Sequence, residues 1–372
     1  MRNCLIAQTS VLKMAIMQNA IAGVACVVAL AATACSAAAQ ELTLRPDGRT
    51  ELPGYTGDFD HFDYDMKSNR LWLAAEDHGT LDIFNLRTLQ MQASLKGVVH
   101  TPHGILFVPE KNRLIVTDTG GDMRTRVIDA TSNKVTANIT LPAPGADAIG
   151  YDPSRRRLYI VSGGRDAKMQ QTYLSAIDPV SLQRFGDLKF DTDKVEAMGI
   201  QSKGNKLFIT VTGKNYVAVV DKEKMLVLDT WPIKEAQQSA PMAYDEQAHR
   251  LFVVARKPGT MIVLDADSGR TVASFKAPEH CDQVIWDADN QRAYALGGEG
   301  YIGVFAQRGP EKYEELARIA SAPGAKTGIL VRELGQLIVA ASPGDGKPGG
   351  ALLRYEILAK PAAAGAAASI AH

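Results

Sequence analysis

A strand-like phrase recurs seven times along this chain: a basic or polar residue, then usually Leu, then an aromatic or β-branched residue. It stands at Arg70-Leu71-Trp72-Leu73, Arg113-Leu114-Ile115-Val116 and Arg157-Leu158-Tyr159-Ile160. It returns at Lys206-Leu207-Phe208-Ile209, Arg250-Leu251-Phe252-Val253, Arg292-Ala293-Tyr294-Ala295 and Gln336-Leu337-Ile338-Val339. The second residues lie 43, 44, 49, 44, 42 and 44 positions apart. Short strands repeating every 40–50 residues are the mark of propeller blades. Helical periodicity is almost absent, which excludes helical repeats of similar length. A chain of 372 residues would otherwise suggest two or three domains.

Each unit reads as four strands separated by Asp- and Gly-rich turns. In the third unit these are residues 148–151, 158–162, 173–177 and 185–190, with a turn at Asp152-Pro153-Ser154-Arg155. A second anchor is an aliphatic-Asp ending on the third strand, as in Val127-Ile128-Asp129, Ala176-Ile177-Asp178, Val219-Val220-Asp221 and Val263-Leu264-Asp265. The seventh unit stops near Ile357 after three strands, and residues 41–53 precede the first unit. Pairing these ends would supply the missing outer strand and remove an exposed sheet edge. The expected fold is all-β: a seven-bladed propeller of four-stranded antiparallel blades, closed by the N-terminal strand.

These repeats resemble the YVTN/YncE-like seven-bladed propellers, whose blades run from an Asp turn through a Leu-Tyr-Val strand to a Val-Ile-Asp strand. The likeness covers Gly57 to about Ile357. It implies an exported binding or redox-associated protein and carries no shared catalytic motif, since a fold does not imply a function.

The first forty residues read as an address. Arg2 and Lys13 form a sparse positive region, residues 20–34 are uncharged and apolar, and Ala37 and Ala39 suit a secretory cleavage site. We expect a signal peptide over 1–39, a propeller over 40–360 and an Ala-rich tail over 361–372. Lipidation at Cys35 is disfavoured by Ala32, where a large aliphatic residue is usual. The apolar run is shorter than the ~20 residues that span a bilayer comfortably. Periplasmic or secreted placement follows. Cleavage would leave 333 residues of net charge −2, with Cys281 as the single cysteine and no internal disulfide. Cys281 itself reads as a small buried residue.

Function is sought where the blades converge. Apolar pairs (Phe62/Tyr64, Ile105/Phe107, Ile149/Tyr151, Met198/Ile200, Met242/Tyr244, Val284/Trp286, Ile329/Val331) align the inner strands. The position before each pair is then Asp60, His103, Asp147, Glu196, Ala240, Asp282 and Thr327. Four carboxylates and one imidazole in a ring raise one another's electrostatic cost unless a partner compensates. Asp60, His103, Asp147, Glu196 and Asp282 are therefore candidate ligands for a divalent metal such as Ca²⁺, Mg²⁺, Mn²⁺ or Zn²⁺. Loops between second and third strands open on the same face. With residues flanking the ring they add His61, Asp77, His78, Arg165, Lys214, Lys257 and His280, of which the three bases suit an anionic ligand.

Three functions stay open: a binding or accessory protein for a small ligand, metal or exported partner; a metal-dependent hydrolase or lyase of lactonase type, with His103 or His78 as general base; and a redox accessory protein. Zero formal charge argues against a nucleic-acid binder, and a monomer is expected. Covalent haem lacks its Cys-x-x-Cys-His. Gly298-Glu299-Gly300-Tyr301-Ile302-Gly303 opens no helix, so a nicotinamide nucleotide is not expected.

Overall fold

In the strand that carries the repeated phrase, nearly every residue is buried on both faces, as in Arg70–Ala75, where all but the first are inaccessible. That pattern requires a sheet covered on both sides, and the neighbouring blades supply the cover. The structure, a computed structural model, describes residues 42–343 and 347–359. The expected leader with its cut after Ala39, Cys35 and the tail over 361–372 lie outside the described residues.

Seven four-stranded antiparallel sheets follow one another along the chain. The inner strands are Phe62–Asp65, Pro102–Val108, Ala146–Asp152, Met198–Ile200, Gln237–Asp245, Cys281–Asp287 and Ala325–Val331. Each inner strand touches those of the adjacent blades, and the seventh touches the first, so the ring closes. In the seventh blade the outer strand is Leu44–Glu51, paired antiparallel with Ala351–Ile357 from Leu44 opposite Ile357 to Glu51 opposite Ala351. The N-terminal strand thus closes the ring as expected.

The repeated residues each have a structural task. Aromatic residues of one blade's second strand meet the inner strand of the next: Trp72 stacks on Phe107 with centroids 5.0 Å apart, and Phe252 on Trp286 at 4.7 Å. Phe208 meets Tyr244 in the same way at 5.5 Å. Apolar clusters fill the interfaces between all neighbouring blades. The arginine that opens the phrase reaches a backbone carbonyl of the following blade. Arg70 donates to Ala130, Arg113 to Val180 (2.6 Å), Arg250 to Pro310 (2.9 Å) and Arg292 to Leu358 (2.7 Å).

The aspartate that ends the third strand closes the next turn. Asp129 accepts from the Ser132 amide at 2.7 Å, Asp178 from Val180 at 2.7 Å, and Asp221 from Glu223 and Lys224 at 2.9 Å. These are Asx turns, which hold the backbone where a left-handed residue such as Asn133, Leu182 or Met225 must follow.

Candidate functional site at the channel mouth

The ring residues are aimed by an irregularity in the sheets. Pairing between inner and second strands skips residues between Pro102 and Ile105, Ala146 and Ile149, Ser239 and Met242, Cys281 and Gln283, and Ala325 and Thr327. A bulge frees a residue from the ladder and redirects its side chain. His103, Asp147, Ala240 and Asp282 all fall in these bulges. Asp147, Glu196, Ala240 and Asp282 line a channel cavity of about 250 Å³.

Blade seven departs from the alignment drawn from sequence. Gly328, not Ile329, pairs with Val339, and the residue in the bulge is Lys326, not Thr327. Thr327 is buried. The apolar anchor that the other blades share is a glycine here because no side chain fits. A Cβ on Gly328 would lie 2.5 Å from the Ile338 carbonyl oxygen. Reading hydrophobic alternation alone shifts this strand by one residue.

With Lys326 in place, the ring is bridged by alternating charge. His103 Nδ1 lies 2.7 Å from Asp60 Oδ2 and 3.7 Å from Asp147 Oδ1, while Nε2 bonds Thr119 Oγ1 at 2.8 Å. Lys194 Nζ stands 3.2 Å from both Asp147 and Glu196, and 3.8 Å from Asp166. Lys326 Nζ joins Asp282 at 2.8 Å and Asp58 at 2.7 Å, and Arg256 also binds Asp282. Together they enclose a mouth cavity of about 290 Å³ that Glu76 and His61 also line.

Burial and charge set the protonation states. Burial opposes a charged His103, but its bond to Asp60 and the nearby Asp147, Asp60 and Glu76 prevail, raising its pKa to about 10. His103 is therefore an imidazolium at neutral pH. Burial would raise Asp60, yet His61, His103 and Lys326 hold it well below the usual carboxylate range. Glu76 is pushed up to about 8 by burial and by the charge of Asp60. Glu196 rises to about 7 through burial, with Lys194 opposing and Asp147 adding to the shift. Burial opposes charge on Lys194, but Asp147, Glu196 and Asp166 raise its pKa.

His61 lines the mouth, with Nε2 3.4 Å from Asp60. Asp77 is exposed and accepts from the Asp58 amide at 2.8 Å, shaping the loop below the mouth. His78 stacks on Tyr55 with centroids 4.2 Å apart, away from the cavity lining. His280 is 76% exposed beside Glu299. Arg165, Lys214 and Lys257 line an adjoining cavity rather than the mouth itself. Cys281 is fully buried and its thiol pKa is raised by burial.

Among the described residues, one group offers donor atoms within 4.8 Å of one another: Asp60, Glu76 and His103. Asp147, Glu196 and Asp282, also named as ligands from sequence, instead meet Lys194, Lys326 and Arg256. The sequence reading missed Lys194 and Lys326 because it sought like residues at one position. A period-two signal was present: Asp58/Asp60 and Lys194/Glu196 put two charges on one side of an extended segment.

No family model and no curated protein matches the chain. Among solved structures, a chain of the crystal structure of the mitotic checkpoint complex superposes with a TM-score of 0.67 at 13% identity, over 85% of this chain and 95% of that one. That likeness shows the propeller fold. Since 1685 solved chains match, the architecture does not single out a chemistry. Among the described residues no helix is long and apolar enough to cross a membrane.

Proposed function

We propose that this is an exported propeller whose charged mouth holds a small polar ligand or the charged group of a partner. The bridged ring carries the reading: His103, Lys194, Lys326 and Arg256 hold carboxylates from four blades in place around an open cavity. Groups fixed in advance lose little freedom when a ligand arrives, which favours binding. The apolar run and small residues over 1–39 support export, and the repeats support kinship with the YVTN/YncE-like propellers. Thermal shifts with lactones, sugars, phenolics and short peptides test the site. A ligand at 100 times its Kd should stabilise the protein by about 2.7 kcal/mol. Lys194→Met should remain folded and lose that shift. Absence of any shift, or one that Lys194→Met leaves intact, would sink this assignment.

The Asp60, Glu76 and His103 cluster favours a second reading, a divalent-metal site serving a hydrolase or lyase. One histidine nitrogen and two carboxylates suit such an ion, which would supply Lewis acidity toward a carbonyl or a water. A bound ion would have to compete with the hydrogen bonds both ring nitrogens make. Elemental analysis after exposure to Ca²⁺, Mg²⁺, Mn²⁺ and Zn²⁺ decides it: stoichiometric metal lost in Glu76→Gln supports the site, and a metal-free protein rejects it.

A further inference from the structure

Lys194, Glu196 and Arg256 form a wall shared by two cavities. On one side is the mouth, lined by seven acids against three lysine or arginine side chains and the His103 imidazolium. On the other is a shoulder of about 560 Å³ over blades three to five. The shoulder reverses the balance, with five basic side chains against Asp193 and Glu196. Lys214 and Lys257 are exposed there and make no ion pair among the described residues, whereas Arg165 is held 3.3 Å from Asp193. On the first blade's side of the mouth, Glu76 lies beside Asp60 and the His103 imidazolium that is bonded to Asp60, and no lysine or arginine pairs with Glu76 among the described residues. Charge thus changes sign across the shared wall.

From this juxtaposition we propose that mouth and shoulder are one bipartite site for a zwitterionic small molecule of the amino-acid or short-peptide class. Its ammonium group enters the acidic side near Glu76 and Asp60, and its carboxylate rests on Lys214 and Lys257. The assignment rests on the reading of the mouth as a ligand site and adds the class of ligand. Opposed charges at two ends select both for the ligand's polarity and against molecules with one sign only, since a like charge placed in either cavity is repelled. The two cavities together fall within the size range of small-molecule sites.

Calorimetric titration of the purified protein with trialanine, N-acetyl-trialanine and trialanine amide tests the pairing. Trialanine should bind, and blocking either end should weaken binding tenfold or more. In Lys214→Ala/Lys257→Ala the penalty for amidation should vanish while the penalty for acetylation persists. Glu76→Gln should show the reverse. Lys214 and Lys257 are exposed and Glu76 is partly buried, and circular dichroism would confirm the fold of both variants. Equal affinity for free and blocked peptides overturns the proposal. So does the failure of trialanine where a neutral sugar or a lactone binds, in which case the ligand site itself survives. If no compound of any class binds, both readings fall.

Discussion

At the residue scale, the mouth is governed by His103, which is 6% exposed and bonded through both ring nitrogens. Its folded pKa of about 10 lies above the ordinary value of 6.5. Between those values the folded protein holds a proton that the unfolded chain has released. The contribution is therefore complete below about pH 6.5 and fades as pH rises through about 10. His103→Gln removes the cation bonded to the partly buried Asp60, and should cost about 3 kcal/mol at pH 6. Urea denaturation at pH 6, 8 and 10 should show the gap between variant and wild type closing as pH rises. A gap that stays constant would mean that His103 is neutral in the fold.

The turn aspartates carry the opposite kind of lesson. Asp129, Asp178, Asp221 and Asp265 recur because each accepts backbone amides of the following turn, and their pKa values are lowered. They end the third strands or directly follow them, outside the mouth lining. The same residue type holds turns there and lines the channel mouth in the ring, and only position distinguishes the two.

At the scale of elements, two features can be tested. Leu44–Glu51 completes the seventh blade, and Leu44 is 1% exposed among Tyr294, Leu337 and Leu353. Leu44→Ala should cost about 2–5 kcal/mol, the usual range for a buried leucine. Removing residues 42–51 should expose the edge of Ala351–Ile357, lower Tm and promote self-association visible by size-exclusion chromatography. A truncated chain that remains monomeric with an unchanged Tm would show that closure contributes nothing. The second feature is Gly328, which lets blade seven pack in the register that delivers Lys326 to the mouth. Gly328→Ala forces a Cβ against backbone and should destabilise the protein by about 1–3 kcal/mol. It should also weaken ligand binding by displacing Lys326, whereas an unperturbed affinity would separate register from site.

At the scale of the whole molecule, closure makes stability collective, because each blade buries its faces only against its neighbours. Cys281 reports on this. It lies at the start of an inner strand, fully buried, with a thiol held protonated by burial. A thiol reagent should label it only at the rate of global unfolding, and the rate should follow denaturant as the unfolding limb does. Rapid labelling of the native protein would reveal local opening of blade six.

Much of this was legible in the sequence, because blade repetition is a local pattern. Strand count, seven units, turn aspartates, interblade aromatics and the closing strand follow from alternation, spacing and the need to bury edges. Six of seven ring positions were also readable by aligning blades. Lys326 was not, because a glycine stands where the apolar anchor should be, and only the backbone approach from Ile338 explains it. Nor could sequence show that Arg256 and Lys326 lean into the ring, since a solvated basic side chain and a bridging one look alike in a linear chain. Local periodicity determined the architecture; the sign and pairing of charge at the mouth were decided by tertiary structure, because electrostatic partners meet across blades rather than along the chain.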